Sequence, residues 1–403
     1  MISVFSQLHL SFFHAPLRSR QLLPRLLALM LLCGTLAACA STALPPPDLF
    51  NDASFRPPAY PVDAQQALAA NEAMRHYVRN ELARDGRNSN PRRALADALY
   101  RKAGLQLEYD TAMTRTAAQT FEARSGNCLS LVLMTATLAR EMGLAVRYQS
   151  VLGEESWSRS DGTYFVAGHV NIVLGERLSL SQDSYESDRA LLIDFLPAAD
   201  LTGQRTREIS QATILAMYLN NRAAETMAEG NLDQAYWFAR AAILHDASFT
   251  SAYNTLGLVQ LRHGDLDAAQ RTLAHALARA PGNTVLMSNL AQAYDKLQRH
   301  AEAAQLRRVV QALQPEPPFH FFDLGRLAMA SGQYREAARL FQRELARDPH
   351  YHEFHFWLAQ AHAQLGQWPQ ASQQLQLAMA QSLTRSEHSL YAGKLARLRA
   401  LGR

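Results

Sequence analysis

Cysteine is scarce: the 403 residues hold three, Cys33, Cys39 and Cys128. So few thiols exclude the disulfide-stapled class of small fold, and stability has to come from buried cores. Acid is missing from the first 38 residues, which carry Arg18, Arg20 and Arg25 but no Asp or Glu. Of 40 Lys and Arg, the 37 beyond that segment face 36 Asp and Glu, so the pI near 9.0 belongs to the N-terminus. A nearly neutral remainder excludes a polyanion-binding surface built on bulk charge, and no nucleic-acid partner is expected. Long apolar runs are lacking as well. Leu26–Cys33 and its continuation to Ala38 supply about a dozen apolar residues, short of the roughly 20 that span a bilayer. No glycine-rich phosphate loop stands in a strand-to-helix context, and no cofactor is implied.

What the N-terminus does contain is a basic stretch, a short apolar core and the sequence Leu36-Ala37-Ala38-Cys39. This is the layout of a signal peptide. Leu-Ala-Ala-Cys resembles a bacterial lipobox. The resemblance implies that residues 1–38 are removed, that Cys39 is lipidated, and, with Ala40 and Ser41 following, delivery to the outer membrane facing the periplasm. Cys33 would then leave with the signal, Cys39 would carry lipid, and Cys128 would be the one free thiol. It is either a reactive group or a small buried hydrophobe. Residues 39–62 contain Pro45, Pro46, Pro47, Pro57, Pro58 and Pro61. They read as an extended tether reaching up to about 60 Å, at roughly 3.1 Å per residue.

Residues 63–205 follow an α+β order. Helices are expected from an Asp63 cap to about Arg84, from Asn90-Pro91, and over Thr116–Arg124, with a short extended piece at Leu105–Tyr109 between them. A Gly126-Asn127 turn then leads into the apolar run Leu129–Gly143, which places Cys128 in the first turn of a helix. Free N–H groups and the positive end of the helix dipole there favour a thiolate. Strands are expected over Ala145–Leu152, Tyr164–Leu174 and Ala190–Phe195, with polar loops at 153–162 and 179–188.

Cysteine catalysis needs a base beside the thiolate and a third group to orient that base. His169 lies in the alternating strand Gly168–Leu174. Asp194 is a carboxylate in the otherwise apolar run Leu191–Pro197, costly to bury unless it is partnered. Over residues 65–205 the chain resembles the transglutaminase-like fold of the papain-type cysteine enzymes, in which a Gly-x-Cys at a helix start is followed by a strand His and a strand Asp. The resemblance implies Cys128 as nucleophile, His169 as general base and acid, and Asp194 as the group fixing the imidazole. It departs from the family in having Val170, not an aromatic, after His169. The Cys128 backbone N–H is the expected oxyanion donor. Asn127 is either a second donor or simply part of the turn.

From about residue 212 the composition becomes helical with a 34-residue period. Tyr253, Leu256, Gly257, Gly264, Ala269, Leu273, Ala276 and Pro281 recur as Met287, Leu290, Ala291, Gln298, Ala303, Arg307, Val310 and Pro315, and again as Phe321, Leu324, Gly325, Gly332, Ala337, Phe341, Glu344 and Pro349. The pattern matches tetratricopeptide repeats. Five units are expected over 216–385, with a capping helix over 386–403. Phe319, Phe322 and Phe356 fall on first helices of their units, where they either line a concave peptide-binding surface or pack between units. His350, His352, His355 and His362 are read as surface residues of a repeat junction, with no metal site.

The expected fold is therefore an α+β transglutaminase-like cysteine domain followed by an all-α tetratricopeptide-repeat solenoid. The expected function is amide hydrolysis or acyl transfer on a protein or peptide substrate by a lipid-anchored envelope protein. The repeats would hold substrate or an envelope partner. The alternative is an inert scaffold lipoprotein that works through its repeats alone.

Overall fold

The computed structural model describes residues 44–84, 90–101, 104–110, 113–160, 163–177, 190–195, 205–382 and 385–401. The expected signal peptide and Cys39 lie outside the described residues.

The N-terminal half is built around helix α4, which is numbered with its neighbours as follows. Helix α1 covers Glu72–Tyr77 and runs on as a π-helical turn to Leu82; α2 is Pro91–Tyr100, α3 is Ala117–Ala123 and α4 is Cys128–Glu141. In α4 no charge appears before Arg140, and every residue from Leu129 to Ala139 is buried. A helix apolar on all sides has to be wrapped on all sides. Helices α1, α2 and α3 and a 3-10 turn, Ala64–Leu68, cover one flank, and a sheet covers the other. Each wrapping element starts on a side-chain cap: Asp63, Asn71, Asn90 and Thr116 accept backbone N–H groups two or three residues on. The single helix expected over 63–84 is two elements, because Asn71 takes up an extended conformation and caps its own helix.

Strands β1 (Glu108–Tyr109) and β2 (Ser125–Gly126) pair in parallel, with Tyr109 opposite Gly126. The second sheet has β3 (Leu144–Ser160), β4 (Thr163–Arg177), β5 (Leu191–Ile193) and β6 (Arg205–Ile209) in the antiparallel order β5-β4-β3-β6. The polar loop expected from residue 153 is instead the outer arm of the β3–β4 hairpin, paired out to Ser160 and Thr163. Backbone pairing satisfies that arm whatever its side-chain pattern. Edge strand β6 was not expected; its first four residues are exposed, so it carries no apolar alternation.

Five antiparallel helix pairs follow: α5 (Gln211–Ala228) with α6 (Leu232–His245), α7 (Thr250–His263) with α8 (Leu266–Arg279), α9 (Thr284–Lys296) with α10 (His300–Leu313), α11 (His320–Ala330) with α12 (Tyr334–Leu345), and α13 (His352–Gln364) with α14 (Trp368–Ala380). Helix α15 (Arg385–Leu401) closes the array. Two glycines permit the close approach inside pairs. A Cβ at Gly257 would meet Leu273 at 2.6 Å, and one at Gly325 would meet Phe341 at 2.6 Å. One hydrophobic core runs from Leu49 through α4 and the sheet to Ala293, so the expected boundary near residue 205 is no gap in packing. A separate core spans Phe319 to Ala361.

The tether expectation fails for the described residues from Pro45 onward. They form a strap laid across α6, α7 and α8. Phe55 is 4% exposed and stacks on Tyr236 with ring centroids 3.9 Å apart. Gln260 Nε2 donates to the Leu49 carbonyl at 2.8 Å, Trp237 Nε1 donates to the Arg56 carbonyl at 2.6 Å, and Asn51 Nδ2 donates to Asp265 at 2.6 Å. Proline restricts φ and removes donors, but it leaves carbonyls and neighbouring aromatics free to dock.

The aromatic trio is also corrected. Phe319 (2% exposed) and Phe322 (0%) lie inside the second core, edge-on to each other, with Phe319 edge-on and Phe322 tilted to Phe354. Phe356 packs towards the closing helix beside Tyr391 and Leu395. All three make packing contacts of the kind the second alternative described, Phe356 while staying partly exposed.

Candidate active site

Cys128 opens α4 and is partly exposed, as a free thiol. The turn before it is shaped by three neighbours. Arg124 adopts a left-handed conformation (φ 51°) that ends α3. Gly126 has no room for a side chain, since a Cβ there would come within 2.7 Å of Ser130 Cβ. Asn127 caps the helix, its Oδ1 accepting from the Ser130 N–H at 2.9 Å and the Ser130 hydroxyl at 2.8 Å. Its Nδ2 donates to Thr114 Oγ1 at 2.9 Å. With both ends of its amide engaged, Asn127 serves the turn.

Thr114 links this turn to the first repeat helix. Its N–H donates to Glu225 Oε1 at 2.6 Å, and its hydroxyl accepts from Asn221 Nδ2 at 3.2 Å. Burial raises the Glu225 pKa, opposed by Thr114 and Arg222.

His169 comes from β4, at an irregularity in the hairpin. Ser150 pairs with Val170 and Glu155 with Gly168, so β3 residues 151–154 stand opposite His169 alone. A bulge of this kind re-aims a side chain out of the regular pleat. Nε2 of His169 lies 2.8 Å from Asp194 Oδ1, with His169 7% and Asp194 5% exposed. The second carboxylate oxygen accepts from Asn171 Nδ2 at 3.0 Å. Asp194 is also pinned by its backbone: the Tyr100 hydroxyl donates to its carbonyl at 2.6 Å and accepts its N–H at 3.0 Å. With Nε2 engaged, Nδ1 is the ring nitrogen left free, and Cys128 is close enough to act on the imidazole's titration.

The electrostatics follow from these contacts. Burial alone pushes the His169 pKa down, but the hydrogen bonds to Asp194 and Cys128 and their negative charge override it and raise the value to about 9. The imidazole is thus held as a cation at neutral pH. The structure therefore brings together the three residues singled out in the sequence, from three separate elements.

It also adds two that sequence reasoning missed. Asn171 sits two residues after His169 on the same strand face, which is the one signal that pointed to it. Tyr109 on β1 had no signal beyond its aromatic ring. The Cys128 side chain and backbone both act on its hydroxyl. Burial around the hydroxyl, then the Cys128 charge, raise its pKa, although 42% of the residue stays exposed.

The histidines of the repeat junction have other partners. His355 Nδ1 lies 2.6 Å from Gln374 and its Nε2 3.0 Å from the Pro349 carbonyl, while His352 Nδ1 lies 2.7 Å from the Tyr391 hydroxyl. Among the described residues no cluster of His, Cys, Asp and Glu is arranged to hold a metal, and no helix is long and apolar enough to cross a membrane.

Tetratricopeptide-repeat family models match residues 260–320 and 322–382, so the C-terminal region carries tetratricopeptide repeats. Similar solved structures include TTC0263, a thermophilic TPR protein of Thermus thermophilus, at 19% identity over 45% of this chain and 99% of that one (TM-score 0.30). YrrB, described as a TPR protein with an unusual peptide-binding site, shows 22% identity over 45% and 92% of the two chains (TM-score 0.24). MamA AMB-1 shows 24% over 41% and 90% (TM-score 0.24). No curated protein matches the chain.

Proposed function

We propose that residues 63–205 form a transglutaminase-like cysteine domain that breaks an amide bond in a protein or peptide substrate, and that the repeats hold the substrate or a partner beside it. The observation that carries this reading is the buried His169–Asp194 pair at 2.8 Å, with Cys128 at the start of α4 acting on the same imidazole.

In the proposed reaction the proton already sits on His169, and the Cys128 thiolate attacks the amide carbonyl, forming the S–C bond. The Cys128 N–H lies where the oxyanion develops, and the Tyr109 hydroxyl beside Cys128 donates to the carbonyl oxygen. Imidazolium then gives its proton to the leaving nitrogen as the C–N bond breaks, leaving a thioester. Water or a primary amine, deprotonated by His169, releases the acyl group and restores the thiolate–imidazolium pair. Hydrolysis is the favoured outcome, water being plentiful in the compartment proposed. Lipidation at Cys39 would place the protein on the outer membrane facing the periplasm.

A second reading is supported by the repeats themselves: a scaffold that binds protein partners through the array while the cysteine domain turns nothing over. Mass spectrometry of envelope peptides separates the two. New termini or new amide cross-links formed with the wild type and absent with Cys128→Ala support the enzyme. Identical peptides from both, with the same proteins captured by both, support the scaffold.

A further inference from the structure

One repeat position changes environment in a single unit. Leu256, Leu290 and Leu358, spaced by the repeat, are 0%, 3% and 2% exposed, whereas Leu324, at the equivalent place on α11, is 41% exposed. Leu256 and Leu290 belong to the first hydrophobic core and Leu358 to the second, while Leu324 belongs to neither. The packing that joins α6 to α7, α8 to α9, α12 to α13 and α14 to α15 is missing between α10 and α11. The two hydrophobic cores accordingly end on either side of this seam.

Both halves of the missing contact are present in the chain. On α10 only Ala303 is buried, and Val309 and Leu313 are 40% and 57% exposed. Facing outward from α11 and α12 is a groove of about 460 Å³, lined by Phe321, Leu324, Leu327 and Leu340 and rimmed by Arg339 and Arg343.

The linker holds the seam open. It contains Pro315, Pro317 and Pro318 and ends at Phe319 in a left-handed conformation (φ 65°). It is anchored on both sides: Gln314 accepts from Thr284 at 2.9 Å, while Arg347 donates to the carbonyls of Glu316 (2.9 Å) and Pro317 (3.2 Å). A short, stiff connection between two matched but unpaired surfaces favours pairing between copies over closure within one.

We propose that two copies of this chain close each other's seam, α10 of one packing on α11 and α12 of the other. The exchange is reciprocal, so one two-fold axis buries both seams and leaves no open end. The contact is the one that successive units already make four times within the chain.

The test mixes full-length Val310→Cys with full-length Leu324→Cys and adds a short bismaleimide cross-linker, each variant alone serving as control. A product of twice the chain mass that needs both variants supports the exchange. A link formed only within one chain of the double variant overturns it in favour of internal closure, and no link overturns it in favour of a permanently open seam. Leu324→Glu, at an exposed position, should keep the wild-type circular dichroism while converting the dimer to monomer in analytical ultracentrifugation. A wild type that sediments as a monomer at micromolar concentration also overturns the proposal.

Discussion

Asp194 meets His169 through one carboxylate oxygen, at 2.8 Å, and Asn171 through the other, at 3.0 Å, so both acceptor atoms of a buried acid are engaged by residues two apart on one strand. The imidazole is thereby held in one orientation, with Nε2 on the carboxylate. Replacing Asp194 with Asn removes the charge that offsets burial. The His169 pKa should fall well below about 9 in an NMR titration of the imidazole protons. Amide cleavage should fall by about a hundredfold or more, the usual contribution of a positioned acid–base group.

The raised His169 value also sets two pH dependences of known sign. A group with a folded pKa above its ordinary 6.5 adds stability that is fully present below 6.5 and is lost as pH rises through about 9. Chemical unfolding of the wild type should show this loss, and His169→Gln should show less of it. Amide turnover should decline over the same alkaline range, because the leaving nitrogen loses its proton donor. Alkylation of the thiol needs no such donor and should not decline.

Tyr109 should separate the same two chemistries. In Tyr109→Phe the hydroxyl beside Cys128 is gone, and amide turnover should fall by about a hundredfold, the cost of one oxyanion donor. Alkylation of Cys128 develops no oxyanion and should proceed nearly as before. Equal losses in both assays would make Tyr109 a packing residue.

The strap yields a stability prediction. Phe55 fills a slot against Tyr236 and His263. Phe55→Ala should cost about 3 kcal/mol in denaturant unfolding, typical of a buried Phe lost to a cavity. It should also expose residues 47–62 to limited proteolysis. A free tether would show neither effect.

How much of this was legible in the sequence depended on whether the signal was local. The start of α4 was readable because a Gly-Asn turn and an uninterrupted apolar run are both short-range features. His169 and Asp194 were readable because each is a polar residue in an apolar strand, where burial demands a partner. Tyr109 was not, since β1 has two residues and owes its position to parallel pairing with β2, a contact made across the chain. The docked strap was hidden because proline content describes backbone conformation and says nothing about what the backbone touches. Phe319 and Phe322 showed that helical spacing identifies a face without identifying its neighbour.

The account rests on Cys128 and His169 acting as one unit, and the rate of Cys128 modification by a thiol-directed electrophile near neutral pH tests that most directly. Wild-type Cys128 should react rapidly, and His169→Ala should slow the reaction sharply while leaving the fold unchanged by circular dichroism. Equal rates in the two proteins would contradict it and leave the repeats as the working part of the molecule.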